Sequence, residues 1–223
     1  MTTSAMVFAS PRPALRPWQL LALVMALNLI VLWFSNEYVL TRETYQRLLS
    51  DRLEASRVDE YFEFARRLRI WGYVVTPLVV VVRVGFMALA LQLALLLLLI
   101  EVPIGRLFRL ALWASLALLA GTAVREVLLA ALDPATLSLA RLSVVPGSLA
   151  SVTMDLEDFR APLYGLLNFV NPFELAWCAI MAAGIADGKK LKPVTAASVV
   201  VSVWMTVTVL AWGLLSFLNR LRS

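Results

Sequence analysis

The sequence predicts an all-α, polytopic membrane protein: a bundle of five transmembrane helices with an amphipathic helix after the first span. Of its 223 residues, 61% are hydrophobic and only 16% are charged. Soluble domains average about 45–50% apolar and about 25% charged residues, so this chain has too little charge for a surface that faces water. It also holds five stretches near the roughly 20 apolar residues that a membrane helix needs.

The residue inventory excludes several functions. The chain has no histidine, so it cannot by itself build a Ser-His-Asp triad or a histidine metal site. Its single cysteine, Cys178, lies in an apolar run and is interpreted as a small buried hydrophobe. The acids Asp155, Glu157 and Asp158 lack the regular spacing of a calcium loop. We therefore expect no catalytic residue, no cofactor and no metal site.

The first membrane segment is a span at residues 18–36 that follows a short tail at 1–17. The basic residues Arg12 and Arg16 precede it. It is long for the apolar core of a signal peptide and lacks a small-x-small cleavage site, so we interpret it as a retained anchor.

Residues 37–70 change to a charged, amphipathic character, and neither Pro nor Gly interrupts them. We expect residues 41–69 to be helical and to lie along the membrane interface, with a lipid-grazing face favoured over a partner-binding one. The apolar residues that share one face at helical spacing are Val58, Tyr61, Phe62, Ala65 and Leu68.

A four-span domain is predicted at residues 71–219, before a tail at 220–223. The second span is expected to start near Leu78, because Pro77 favours a break. The third runs from about Leu107 to Leu132. A loop at 133–162 follows, then a fourth span that ends at the basic turn DGKKLK and a fifth within the uncharged stretch 193–219.

Asn171 is predicted to cap the fourth span. Pro172 then takes the first helical position, where its missing N–H costs nothing. Glu174 takes the third position, so its carboxylate can accept from the backbone of Asn171 and complete a capping box.

Four charged residues, Arg83, Arg125, Glu126 and Glu174, fall where lipid is expected. The second span starts, the third ends and the fourth starts on one side of the membrane, so the four share a layer. We expect Arg83 to pair with Glu126, and Arg125 to reach Glu174 or a lipid headgroup. A lone charge at membrane depth costs about 2.5–3.5 kcal/mol on insertion scales. A structural polar clamp is favoured over a substrate path.

The later part of the chain shows an ordered series of features: an approach segment, an Asn-Pro-Phe entry, a Trp-bearing helix ending in glycine, a basic turn and a final span with a Trp. They are Leu163–Val170, Asn171-Pro172-Phe173, Trp177, Gly184, Lys189-Lys190 and Trp204. With this series the chain resembles the Yip (Ypt-interacting protein) domain family. The resemblance covers roughly residues 71–217.

The resemblance implies five transmembrane helices, a cytoplasmic N-terminus and an extracytoplasmic C-terminus. The total count of basic residues in the loops favours the opposite orientation, with the N-terminus outside. The basic residues in the compact turns favour a cytoplasmic N-terminus. The chain is most similar to short bacterial members, which implies the bacterial cytoplasmic membrane. Arg83 and Glu174 depart from the family pattern, where these positions are usually uncharged.

We expect a non-enzymatic membrane protein that organises a complex or its lipid environment. The alternatives are a small transporter, or the membrane subunit of one, that uses the intramembrane charges, and, with least weight, an intramembrane enzyme. The expected partners are the lipid bilayer, anionic lipid headgroups, and a membrane-protein partner or a second copy of the chain. No nucleic acid is expected, because the basic excess suits lipid headgroups.

Overall fold

The computed structural model describes residues 15–49, 54–133, 136–155, 161–189 and 191–222. Glu157, Asp158, Lys190 and most of the N-terminal tail lie outside these residues. The described chain is helical, without a strand. Its α-helices are α1 Pro17–Phe34, α2 Arg42–Leu49, α3 Ala55–Leu97, α4 Ile104–Ala131, α5 Leu139–Ser143, α6 Leu149–Thr153, α7 Pro162–Asn168, α8 Pro172–Lys189 and α9 Pro193–Arg222, and a π-helical turn, Ser35–Val39, follows α1.

Four helical stretches are long and apolar enough to cross a membrane. They are Pro17–Val39, Ser56–Leu97, Ile104–Ala131 and Pro193–Leu218. The prediction of an all-helical, multi-pass membrane protein is confirmed at this level. Helix α8 is not among the four: it has 18 residues and includes Glu174, Asp187 and Lys189.

The expected helix break at Pro77 is wrong. Helix α3 runs through Pro77 for 43 residues without interruption. A proline removes only its own N–H from the backbone ladder, and membrane helices tolerate this better than soluble ones. The predicted single helix over 41–69 is wrong, because residues 42–49 form α2 and residues 55–69 are the first turns of α3, with Glu54 extended before them. The expected boundary between residues 70 and 71 therefore lies inside one helix. Residues 50–53 lie outside the described part of the chain.

Helix α2 folds back against the first turns of α3. Val58 is buried there, and the ring of Tyr45 packs against Phe62 at 5.5 Å between centroids. The guanidinium of Arg42 pairs with the carboxylate of Asp59, with Nε 2.9 Å from Oδ1. The two helices thus form a hairpin in which one face of α3 is covered by α2.

The bundle of long helices has two ends, and a polar contact between helices marks each of them. At the Asn36 end, the Asn36 amide donates to the hydroxyl of Tyr73 at 3.3 Å, so the end of the first membrane stretch lies beside α3. At the Arg106 end, the guanidinium of Arg106 donates to the carbonyl of Gly184 at 2.9 Å. Helix α3 ends, α4 begins, α8 ends and α9 begins at this Arg106 end.

Helix α4 is the centre of the bundle and packs against α1, α3 and α8. Helix α8 runs antiparallel to it, with Gly184 of α8 against Leu110 and Gly121 of α4 against Phe173. Helix α8 also lies well inside the molecule. The residues that it gives to the hydrophobic core are Trp177, Cys178, Met181, Ala182 and Ile185.

Gly121 packs so closely against Phe173 that no methyl group fits between them. A Cβ there would lie 2.6 Å from Cγ of Phe173, a stiff ring atom. We expect Gly121→Ala to lower the free energy of unfolding by about 1–3 kcal/mol, because overpacking forces the helices apart. Thermal unfolding in detergent measures this. Gly85→Ala on α3 is the matched control, since its Cβ would meet no atom within 4 Å; an equal loss in both variants would contradict the prediction.

Candidate functional site

Asn171 occupies the N-cap position of α8. Its Oδ1 accepts hydrogen bonds from the backbone N–H groups of Phe173 and Glu174, each at 3.0 Å. Helix α7 ends at Asn168 and α8 begins at Pro172. The helix is therefore interrupted before Asn171, as the sequence predicts. The cap satisfies two donors that a helix start leaves without partners.

The second half of the expected capping box is absent. The backbone N–H of Asn171 donates to the carbonyl of Phe169 at 3.1 Å and not to Glu174. The Glu174 carboxylate turns toward two neighbouring helices instead. Its Oε2 accepts from the indole Nε1 of Trp204 at 3.0 Å, and its Oε1 lies 3.7 Å from Nη2 of Arg83.

The expected pairing of Arg83 with Glu126 is wrong, and so is the expected pairing of Arg125 with Glu174. The alternative partner of Arg125, a lipid headgroup, stays a prediction. Arg83 pairs with Glu174, and Arg125 pairs with Glu126, with 3.6 Å between Nη1 and Oε1. The expectation that all four residues share one layer is the source of the error, because Glu174 lies deeper than Arg125.

The start of α8 lies deep in the bundle. Phe173 contacts Gly121, which is ten residues before the end of α4, or about 15 Å along the helix. Glu174 therefore lies too deep for Arg125 and at the right depth for Arg83. The short helices α5 to α7 occupy the sequence between the end of α4 and this buried start.

Arg125 and Glu126 meet although they are neighbours in sequence. Their side chains leave α4 about 100° apart, but the flexible arginine bridges the gap, and its Nη2 also donates to the carbonyl of Leu142. Two polar atoms of this pair, Nε of Arg125 and Oε2 of Glu126, are buried without a hydrogen-bond partner among the described residues. The pair is thus incompletely satisfied.

Two adjoining cavities lie beside these ion pairs. The inner cavity, of about 410 Å³, is an open cleft lined by residues of α3, α4, α8 and α9 and by Phe169. The outer cavity, of about 360 Å³, lies nearer the Asn36 end and is lined by Thr122, Arg125 and Asn168. Both volumes fall in the usual range for ligand sites, about 300–1,000 Å³. The residues that line both cavities are Arg83, Leu118, Phe169 and Glu174.

Sequence reasoning missed the role of Trp204. An indole N–H in the middle of an apolar span needs an acceptor, because an unsatisfied donor in hydrocarbon costs several kcal/mol. That requirement marks Trp204 in the sequence as a residue with a polar partner. It does not identify Glu174, which lies 30 residues away.

A carboxylate and a guanidinium face each other beside apolar walls, and such a pair can bind a charged group through ionic hydrogen bonds. Comparison with known proteins adds no candidate reaction: no family model, no curated protein and no solved structure matches the chain.

The observed pairing predicts a specific energetic coupling. Arg83→Gln and Glu174→Gln should each destabilise the protein in detergent, and the double variant should lose less than the sum, by about 0.5–3 kcal/mol, because the two charges meet. The control cycle combines Arg83→Gln with Glu126→Gln, whose effects should add because these two residues do not pair. Coupling in the control cycle alone would show that the pairing is wrong.

Proposed function

We propose that this chain is a multi-pass integral membrane protein of the Yip type that organises a membrane complex without catalysing a reaction. The observation that supports a complex is an exposed apolar stripe on α3, formed by Tyr61, Phe64, Leu68 and Trp71. A bilayer with its headgroups is about 40–45 Å thick, whereas a helix of 43 residues is about 64 Å long. Part of α3 therefore extends beyond the hydrocarbon, and lipid does not cover it there.

The spacing of the stripe suits a partner helix. Its members follow one another at 3, 4 and 3 residues, the heptad pattern of a coiled-coil seam. Helix α2 covers the adjoining face of α3, which includes Val58 and Phe62, and its Tyr45 ring lies 6.0 Å from the ring of Tyr61 at the edge of the stripe. The stripe residues remain exposed beside α2. We infer that the stripe receives a helix of a membrane-protein partner or of a second copy.

Substitution in the stripe tests the proposal. In native membranes, a chain with Phe64→Glu and Leu68→Glu should lose co-purifying protein, or its dimer, because charge replaces two apolar contacts. Quantitative mass spectrometry and cross-linking measure these two outcomes. Arg66→Ala is the matched control, as its side chain is 66% exposed between the two sites. Retention of all partners by the double variant would contradict the proposal.

We further propose that the chain crosses the membrane five times. Helices α4 and α9 both begin at the Arg106 end, so the chain between them must return from the Asn36 end. Helix α8 provides about 27 Å of this return and packs in the core. An odd number of crossings puts the termini on opposite sides. By the family resemblance, the N-terminus is cytoplasmic in a bacterial inner membrane.

Cysteine labelling distinguishes five crossings from four. In a Cys178→Ala background, Thr41→Cys and Glu101→Cys report the two sides of the membrane. Lys192→Cys should react with an impermeant maleimide from the side of Glu101, and that side should be cytoplasmic. Reaction of Lys192→Cys from the side of Thr41 would mean that α8 does not complete a crossing.

A small transporter, or a transporter subunit, is the second candidate. The observation that favours it is the inner cavity, where Arg83 and Glu174 face each other at membrane depth. Ionisable residues inside the membrane often mark transport paths. Reconstituted in liposomes, a transporter would lose flux with Arg83→Gln, whereas a complex organiser would keep its partners in that variant.

A further inference from the structure

We propose that the inner and outer cavities form one groove that binds an anionic amphiphile. Its oxyanion head lies between Arg83 and Arg125, and its apolar chain lies in the inner cavity. This inference rests on the insertion in a membrane that is part of the proposed function. It does not depend on the choice between a complex organiser and a transporter.

The charges that line the outer cavity favour an anion. Arg83, Arg125 and Glu174 line it, whereas Glu126, the carboxylate beside Arg125, is not among its lining residues. The two ion pairs sum to zero charge, but two guanidinium groups and only one carboxylate contact the cavity, because Glu126 is buried beside Arg125. A phosphate or carboxylate is the natural complement, since a guanidinium recognises both through paired hydrogen bonds.

Both arginines have donors to offer. Each guanidinium carries five N–H groups. Arg83 makes a single ion-pair contact of 3.7 Å within the described chain, and 58% of its side chain is exposed. The side chain of Arg125 is about one third exposed and lines the outer cavity, while its Nη1 pairs with Glu126 and its Nη2 donates to the carbonyl of Leu142. An oxyanion between the two side chains accepts from the free N–H groups of Arg83 and from the part of the Arg125 guanidinium that faces the cavity.

The other polar groups at the outer cavity are already engaged. The amide of Asn168 accepts from the hydroxyl of Ser148 at 2.9 Å and donates to the carbonyl of Ser143 at 3.2 Å. Asn171 caps α8, and the hydroxyl of Thr122 donates to the carbonyl of Leu118. The two arginines are therefore the groups that bind the charged head of the ligand.

The inner cavity suits a hydrocarbon chain. Apart from Arg83, Glu174 and two hydroxyl residues, its walls are aliphatic and aromatic. The indole N–H of Trp204 is occupied by Glu174, so that ring presents its apolar surface. The apolar residues that line the inner cavity include Val84, Phe86 and Met87 of α3 and Val207 and Ala211 of α9.

The depths of the two cavities match the layout of a lipid. Arg125 lies six residues before the end of α4, or about 9 Å along the helix. This depth is close to the headgroup region, while Ala111 of the inner cavity lies much farther from that end. Basic pockets between transmembrane helices are known binding places for anionic lipid headgroups. An amphiphile with its head near Arg125 is therefore oriented like the surrounding lipids, with its head toward the membrane surface and its chain toward the membrane centre.

Native mass spectrometry of the full chain in a neutral detergent tests the inference. The probes are phosphatidylglycerol and oleate, with phosphatidylcholine and methyl oleate as matched ligands without net charge. We expect at least a tenfold preference for the anionic member of one pair. Preference for phosphatidylglycerol identifies a membrane lipid as the source, and preference for oleate identifies a free fatty acid.

Variants locate the site. Arg83→Gln and Arg125→Gln should each weaken binding of the preferred anion by tenfold or more, while Arg57→Gln, on the exposed first turns of α3, should not. Val207→Trp should fill the inner cavity, so octadecanoyl chains bind less while octanoyl chains still bind. Thermal unfolding and gel filtration of each variant establish that it folds.

The outcomes that overturn the inference are distinct from failure of the proposed function. Equal binding of charged and neutral ligands would overturn it, as would an anion preference that survives in the Arg83→Gln, Arg125→Gln double variant. The latter would place the anion on outer basic surfaces. If the wild-type chain instead leaves native membranes in an alkaline carbonate wash, the integral-membrane proposal fails first.

Discussion

The buried start of α8 is the constraint on which the rest of the structure depends. Asn171 ends the irregular backbone and caps the helix about 15 Å from the end of α4. Backbone at this depth needs its own hydrogen-bond partners, because lipid offers none. The cap and the short helices before it supply them, and they leave Glu174 at the same depth, where a carboxylate needs partners too.

Glu174 connects three helices because of this position. Its two oxygens reach Arg83 on α3 and Trp204 on α9, while its own helix packs on α4. The close glycine contacts of α4 and α8 fix the register that brings these groups together. The ion pair lies beside a cavity and not in a packed core, so it keeps one half-exposed cation available for a ligand.

Helix α3 combines two environments in one element. Its middle and end carry exposed apolar residues that lipid covers, whereas its first turns carry both charges and the stripe from Tyr61 to Trp71. The sequence suggested a boundary between these regions, because composition changes abruptly there. The backbone continues through Pro77 because a single lost hydrogen bond does not outweigh the helical preference of a chain in an apolar medium.

The sequence by itself determined the class of protein, four of the apolar stretches that are long enough to cross a membrane, the capped start at Asn171 and the presence of four charged residues within apolar surroundings. These follow from local chemistry: apolar length, side-chain capping and the cost of charge in lipid. Only the tertiary structure decided that Arg83 meets Glu174, that Trp204 joins them and that α3 is continuous. Partners in a bundle depend on the depth at which each helix starts. Here α8 starts far inside the bundle, a position set by its packing on Gly121 and by no pattern within α8 itself.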